Sequence, residues 1–168
     1  MSFTPAGSET DPIDGRTPDA PGVLVWPPLL YAGAFLLGLA LARLLPISRL
    51  PVMPARLAGI LCVVAGGAIA RWGEVVMHRA GTNVRPDLPT TALVTEGPFR
   101  YTRNPLYVGL TLLYAGAGLL IPSIWPLLLL VPVLLVMRWG VIGREERYLA
   151  RKFGEPYRTY LSQVRRWL

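Results

Sequence analysis

Residues 106–137 form a run of 32 amino acids that contains no Asp, Glu, Lys, Arg or His. A helix of about 20 apolar residues is enough to cross a bilayer. The run exceeds that length and can hold two short helices, with Pro122 near its middle favouring a turn between them. We therefore interpret the chain as an integral membrane protein, the alternative being a buried core hairpin in a soluble one.

Four apolar segments are predicted to span the membrane. They are residues 23–45, 55–77, 106–121 and 123–139, each range being approximate. The last two would be only about 24 Å long as helices, so we expect them to tilt little or to lie in a thinned bilayer. The predicted fold class is an all-α integral membrane protein whose last two spans form a short hairpin, with a C-terminal helical segment at 143–168 and one domain over 23–168.

The first 22 residues differ from the rest in composition. They contain four acidic residues, one Arg and several Pro and Gly, whereas a secretory signal needs a basic start and an apolar core. We expect residues 1–22 to be a disordered tail without chemistry.

The positive charges predict which way the spans face. With four spans, both termini and the 71–105 connection share one side, and that side has 14 of the 17 Lys and Arg residues. The other side has only Arg43, Arg49 and Arg56. Because basic residues are concentrated in cytoplasmic segments, we expect both termini and any site built from these segments to be cytoplasmic.

Small residues recur every four positions in the first two spans. They are Ala34, Gly38 and Ala42 in the first, and Ala58, Cys62, Gly66 and Ala70 in the second. This spacing allows close approach of helices in lipid and predicts that the two spans pack on each other, unless it arises by chance in an Ala- and Gly-rich chain.

The net charge of +7 indicates a class of partner. Because the arginines lie beside apolar segments, they favour membrane lipids with anionic headgroups over nucleic acid. The chain has one His and one Cys, which cannot supply a typical zinc site, so we expect no metal.

A first polar cluster stands directly before the uncharged run. Arg100, Arg103 and Asn104 precede Pro105, which suits the first turn of a helix with Asn104 near its N-cap. These features are also explained by a helix start with two arginines reaching the headgroups.

A second cluster follows the run at Glu145 and Glu146. A helical Glu is usually supported by a basic residue three or four positions away, and neither carboxylate has one. We expect them to pair across the fold with Arg100 or Arg103, or to bind a ligand.

Together the two clusters resemble a known family. The sequence reads Gly97-Pro98-Phe99-Arg100-x-x-Arg103-Asn104-Pro105-x-Tyr107-x-Gly109, then the uncharged run, then Glu145-Glu146-x-x-Leu149 and Phe153-Gly154-x-x-Tyr157-x-x-Tyr160. Over about residues 57–168 it is similar to the isoprenylcysteine carboxyl methyltransferase family and the related membrane phospholipid methyltransferases.

The resemblance implies a membrane enzyme that uses S-adenosylmethionine. It assigns a cofactor pocket at the cytoplasmic face to Arg103, Asn104, Pro105, Tyr107, Gly109, Glu145 and Glu146. Further candidate pocket residues are Arg100, Thr82, Asn83 and His78. The implied acceptor is lipophilic: a prenylcysteine-like carboxylate, a phospholipid amine, or a small lipophilic thiol or amine.

Asn104 departs from the family pattern, which has His at this position. Asn can donate hydrogen bonds but does not titrate near neutral pH. Methyl transfer to a carboxylate or thiolate needs no base, whereas an amine acceptor must lose a proton. The departure leaves open a non-catalytic lipid-binding or assembly protein of the same fold; a sterol-reductase-like enzyme is a third reading. The small size favours a bacterial protein of the inner membrane.

Overall fold

The computed structural model describes residues 21–46 and 52–167, and these ranges contain helices and connections but no strand. The helices are α1 (Pro27–Leu44), α2 (Val52–Arg79), α3 (Pro105–Leu120), α4 (Trp125–Val136), α5 (Gly143–Phe153) and α6 (Glu155–Gln163). A 3-10 turn, Gly97–Arg100, precedes α3, and a π-helical segment, Met137–Ile142, joins α4 to α5. The prediction of an all-α fold is confirmed for the described residues. The tail predicted to be disordered, residues 1–22, lies outside them except for its last two residues.

Within residues 21–46 and 52–167, three helices are long and apolar enough to cross a membrane. They are Pro27–Leu44, Met53–Arg79 and the continuous helix Trp125–Phe153. Large apolar side chains such as Leu36 and Leu61 are exposed on their outer faces, as expected of surfaces in contact with lipid tails. Helix α3 is a fourth apolar helix, but its 16 residues make it shorter. The chain is an integral membrane protein.

The last long helix extends beyond its predicted end. The fourth span was expected to finish near residue 139, but the π-helical segment carries the helix onward into α5. The carbonyl oxygen of Gly140 in this segment accepts a hydrogen bond from the Leu24 N–H, 3.3 Å away. The helix ends at Phe153, and the next residue, Gly154, has a φ of 60°, which favours glycine. An apolar span and a charged helix are therefore one continuous element.

The prediction that the first two spans pack on each other is wrong. The small residues of α2 contact α3, where Gly109 and Gly116 have the same seven-residue spacing as Gly59 and Gly66. A Cβ at Gly66 would lie 2.7 Å from the carbonyl oxygen of Gly109. In α1, Gly38 contacts α4. The spacing was recognised, but the matching glycines of α3 determine the partner of α2.

A buried cluster beneath the charged helix holds the bundle together. Its members are Tyr31, Tyr107, Tyr114, Val133, Met137, Val141 and Ile142. The Tyr31 and Thr111 hydroxyls form a hydrogen bond of 2.8 Å between α1 and α3. This packing sets the start of α3 against the start of α5.

Candidate functional site

A cleft opens where the start of α3 meets α5 and α6, with residues 82–94 forming its opposite wall. Its volume is about 790 Å³, the open mouth included. Apolar side chains, among them Met77, Leu106 and Leu149, form part of the lining. The polar residues that the sequence singled out and that line the cleft are Thr82, Asn83, Arg103, Asn104, Tyr107, Glu145 and Glu146, and Pro105 lies with them.

The first contact across the cleft joins Tyr107 to Glu145. The Tyr107 hydroxyl donates a hydrogen bond of 2.9 Å to the Glu145 carboxylate, although the residues are 38 positions apart. Tyr107 is buried, whereas Glu145 is partly buried. The hydroxyl thus orients one of the two acids that have no basic residue three or four positions away on their own helix.

The second contact is an ion-pair network around Glu146. The Arg103 guanidinium lies 3.4 Å from one carboxylate oxygen of Glu146, and both side chains are only 14% exposed. Arg166 donates from its Nε, at 3.0 Å, and from a terminal nitrogen to the same carboxylate. The expectation of pairing with Arg100 or Arg103 is confirmed for Glu146, which has Arg103 and, in addition, Arg166. Glu145 instead contacts Tyr107 across the fold.

Arg103 retains an unused donor. Its Nε is buried and has no hydrogen-bond partner among the described residues. A buried donor of this kind costs free energy unless it is satisfied, so this nitrogen is available to an acceptor atom of a bound molecule.

Asn104 occupies the N-cap position of α3, but its side chain does not cap the helix. The side-chain amide instead donates a hydrogen bond of 2.8 Å to the carbonyl oxygen of Arg166. The residue is buried and lines the cleft. Its amide group therefore ties the start of α3 to the C-terminal residues.

Two tyrosines of α6 complete the cleft. Burial raises the pKa of Tyr157 well above its usual value, and Glu146 adds to this effect. Burial also raises the pKa of Tyr160 to about 12, and its hydroxyl donates to the Phe99 carbonyl at 2.7 Å. The Tyr160 hydroxyl therefore attaches α6 to the 3-10 turn that precedes α3.

The 82–94 wall is folded back on itself by side-chain hydrogen bonds. The Thr82 hydroxyl accepts from the Thr91 N–H at 3.0 Å, and the Asn83 amide donates to the Pro89 carbonyl at 2.8 Å. The Thr90 N–H donates to the Tyr148 hydroxyl at 3.2 Å, which attaches the wall to α5. Thr82 and Asn83 thus shape the cleft through this loop.

Three of the candidate residues lie elsewhere. Gly109 is in the contact of α3 with α2, where a Cβ would lie 2.7 Å from that of Ala70. His78 lies 3.7 Å from Glu74 and its side chain is 65% exposed. Arg100 is exposed at the end of the 3-10 turn. None of the three lines the cleft.

The described residues include no group of three or more His, Cys, Asp or Glu side chains placed to hold a metal ion. The cleft instead offers two carboxylates, a buried guanidinium, tyrosine hydroxyls and an apolar wall. This combination suits an organic ligand with both charged and apolar parts.

Sequence reasoning did not assign a role to Arg166. Its only signal was its place in a basic pair near the C-terminus, and the pairing with Glu146 depends on the chain returning after α6. Tyr157 and Tyr160 were noted as part of the resemblance, but their place in the cleft follows only from the docking of α6.

Comparisons with known proteins show which family the sequence resembles. Residues 54–156 match the phospholipid methyltransferase family. The chain is 30% identical over 109 residues to the protein-S-isoprenylcysteine O-methyltransferase of Schizosaccharomyces pombe, a match covering 63% of this chain and 45% of the relative. It is 54% identical over 35 residues to an uncharacterised protein of Haemophilus influenzae, covering 21% of this chain and 56% of that protein. The chain thus spans about half the length of these relatives, and no solved structure matches it.

Proposed function

The chain belongs to the phospholipid methyltransferase family, and on that basis we propose that it is a membrane methyltransferase that uses S-adenosylmethionine to methylate a lipophilic acceptor. One observation supports the proposal above all. The first and second polar clusters, which we call the two polar blocks and which are separated in the sequence by the apolar helices, line the same cleft. The Tyr107–Glu145 hydrogen bond and the Arg103–Glu146 ion pair join them. The cleft lies at one end of the membrane-spanning helices, where a lipophilic molecule and a water-soluble cofactor can meet.

The residues of the cleft fit this cofactor. Its ribose hydroxyls and ammonium group are donors that carboxylates such as Glu145 accept from. Its carboxylate needs a cationic donor, which the unpaired Nε of Arg103 supplies. Apolar and aromatic side chains, including Leu149 and Tyr157, offer surface to the adenine ring. When bound, S-adenosylmethionine supplies an activated methyl group, and these side chains bind it, orient it and limit the access of water.

The acceptor is proposed to be a prenylcysteine-like carboxylate, a phospholipid amine, or a small lipophilic thiol or amine. The name of the S. pombe relative supports the first of these, and the family supports the second. Asn104 provides no titratable group near neutral pH. A carboxylate or thiolate acceptor reacts without a base and therefore fits this site better than an amine does. Positioning of the reactants can supply much of the rate acceleration.

In the proposed orientation, the cleft lies on the cytoplasmic side of a bacterial inner membrane. It is supported by the excess of Lys and Arg in the segments that surround the cleft. S-adenosylmethionine is a cytoplasmic metabolite, so this orientation gives the cleft access to it.

Binding of S-adenosylhomocysteine to the purified full chain tests the proposal. Calorimetry in detergent should show binding by the wild type and a loss of about tenfold or more in affinity for Glu145→Ala, because a carboxylate that accepts hydrogen bonds from the cofactor is removed. Glu155→Ala is the matched control, since that carboxylate is 76% exposed. Absence of binding by the wild type would refute the proposal. Binding without methyl transfer to any lipid, carboxylate or thiol would favour a non-catalytic lipid-binding protein.

A further inference from the structure

The last described residues, 164–167, form an extended segment that crosses the start of α3, and we refer to it as the C-terminal strap. The Arg165 carbonyl accepts from the Arg103 N–H at 3.0 Å. The Arg166 carbonyl accepts from the Thr102 hydroxyl at 3.1 Å and from the Asn104 amide at 2.8 Å. Three consecutive residues of the first polar block are therefore held by two consecutive carbonyl groups of the strap.

The strap is also fixed at its side chains. Trp167 packs on the buried cluster beneath the cleft, which anchors the end of the segment. Arg166 forms its paired contact with Glu146, a planar arrangement that specifies orientation as well as charge. The strap thus contacts both polar blocks, and it lies beyond residues 54–156, the part that matches the family.

The arrangement affects Arg103 in particular. Glu146 has two carboxylate oxygens, and Arg166 donates to both, while Arg103 approaches only one, at 3.4 Å. Because Arg166 donates to both oxygens and neutralises most of the Glu146 charge, Arg103 does not form a bidentate pair with Glu146. Its buried Nε is left without a partner among the described residues.

The other arginine that lines the cleft is already engaged. Arg85 donates to both carboxylate oxygens of Asp87, at 3.1 Å and 2.6 Å. Of the two arginines among the described residues of the lining, Arg103 is therefore the one with a buried donor left for a ligand. A guanidinium donor selects an anionic group, and a carboxylate matches its geometry.

We propose that Arg166 is a positioning residue: by pairing with Glu146 it keeps Arg103 free to bind the carboxylate of the amino-acid part of the cofactor. The proposal rests on the function proposed above and assigns different roles to two arginines. Arg103 contacts the ligand, and Arg166, without contacting it, determines where Arg103 and Glu146 point. Without Arg166, Glu146 takes Arg103 as its sole partner, and the donor is lost to the ligand.

The test compares two ligands that differ only in the amino-acid part. S-adenosylhomocysteine has the carboxylate and the ammonium group of the amino acid, whereas 5′-methylthioadenosine is an adenosine thioether that lacks both. Affinities of both are measured by calorimetry on the full chain in detergent for the wild type, Arg166→Gln and Arg166→Lys. Arg158→Gln is the control, because it removes the same charge from an exposed pair with Glu155.

We expect Arg166→Gln to weaken S-adenosylhomocysteine about tenfold, the scale of one charge-assisted hydrogen bond, and to leave 5′-methylthioadenosine within about twofold. Arg166→Lys should restore part of the loss because it keeps the charge, and Arg158→Gln should match the wild type. An unchanged affinity for S-adenosylhomocysteine, or an equal loss for both ligands, would overturn the proposal, since equal losses indicate a general distortion of the cleft. Failure of the wild type to bind either ligand would instead overturn the proposed function, and this inference with it.

Discussion

The Tyr107 hydroxyl lies 2.9 Å from the Glu145 carboxylate and donates a hydrogen bond to it. Tyr107 lies at the start of the uncharged run and Glu145 lies beyond its end, so this bond joins the sequence before the run to the sequence after it. The buried cluster beneath it, which includes Met137 and Ile142, holds α3 and the π-helical segment in register. The apolar core therefore determines the geometry of the polar site above it.

The first prediction concerns this hydrogen bond. Tyr107→Phe removes the hydroxyl but keeps the ring, and it should weaken binding of S-adenosylhomocysteine about tenfold, or about 1.4 kcal/mol, because Glu145 loses the hydrogen bond that orients its side chain in the cleft. The measurement is calorimetry on the purified protein. Tyr101→Phe is the control, since Tyr101 is 68% exposed, and equal affinities for both variants would contradict the role assigned to Tyr107.

The second prediction concerns stability. Glu146→Gln leaves Arg103 and Arg166 without their shared carboxylate, and a buried cation without its partner is destabilising. Because Arg166 is partly exposed, we expect a loss of about 1–3 kcal/mol, less than for a fully buried pair. Thermal unfolding in detergent should show a clear fall in Tm.

The matched comparison for Glu146 is Glu155. Glu155→Gln breaks an ion pair with Arg158 in which both side chains are exposed. Exposed pairs contribute at most about 1 kcal/mol, so its Tm should stay close to that of the wild type. A similar fall for both variants would show that the Glu146 network has no special role in stability.

The third prediction tests the packing of α2 against α3. Gly66→Ala would place a Cβ 2.7 Å from the Gly109 carbonyl oxygen, and relief of that overlap should cost about 1–3 kcal/mol. The adjacent Gly67 has nothing within 4 Å of such a Cβ. Gly67→Ala should therefore leave the unfolding temperature unchanged or raise it, since alanine is favoured over glycine in a helix by about 0.5–1 kcal/mol. The opposite ranking would contradict this helix contact.

The fourth prediction tests the proposed orientation. In a Cys62→Ala background, Arg158→Cys should react with a membrane-impermeant thiol reagent only after the cells are opened. Arg56 lies near the start of α2, on the side of the membrane away from the cleft in the proposed orientation, so Arg56→Cys should react in intact cells. Both residues are exposed in the structure, so burial within the protein does not account for a difference. Labelling of Arg158→Cys in intact cells would contradict the proposed orientation and indicate the opposite one.

Much of the fold is predictable from local pattern. Segregated charge identified the apolar helices, and Pro105 marks the start of α3. The partner of α2 was not predictable from α2 itself, because the matching pair Gly109 and Gly116 belongs to a segment interpreted as a separate hairpin. Likewise, the continuity of α4 with α5 depends on a π-helical segment, for which residues 137–142 give no distinct signal.

The candidate site also has features that local sequence patterns predict and features that they do not. The lack of local partners for Glu145 and Glu146 predicted contacts across the fold, and the pairing of Glu146 with Arg103 confirms this. The part played by Arg166 depends on a chain reversal after α6, a long-range feature without a local pattern. Asn104 was expected near the N-cap and is there, but its side chain bonds to the strap because the Arg166 carbonyl lies within reach.

The most direct test of the central claim is transfer of a labelled methyl group from S-adenosylmethionine into membrane lipids or added lipophilic acceptors by the purified protein. We predict incorporation by the wild type, by Glu155→Ala and by Arg158→Gln, and a large loss for Glu145→Ala despite correct folding by thermal unfolding. Incorporation that is equal for Glu145→Ala and the wild type would contradict the placement of the site in this cleft. Wild-type protein that incorporates no label into any acceptor would contradict the proposed activity itself.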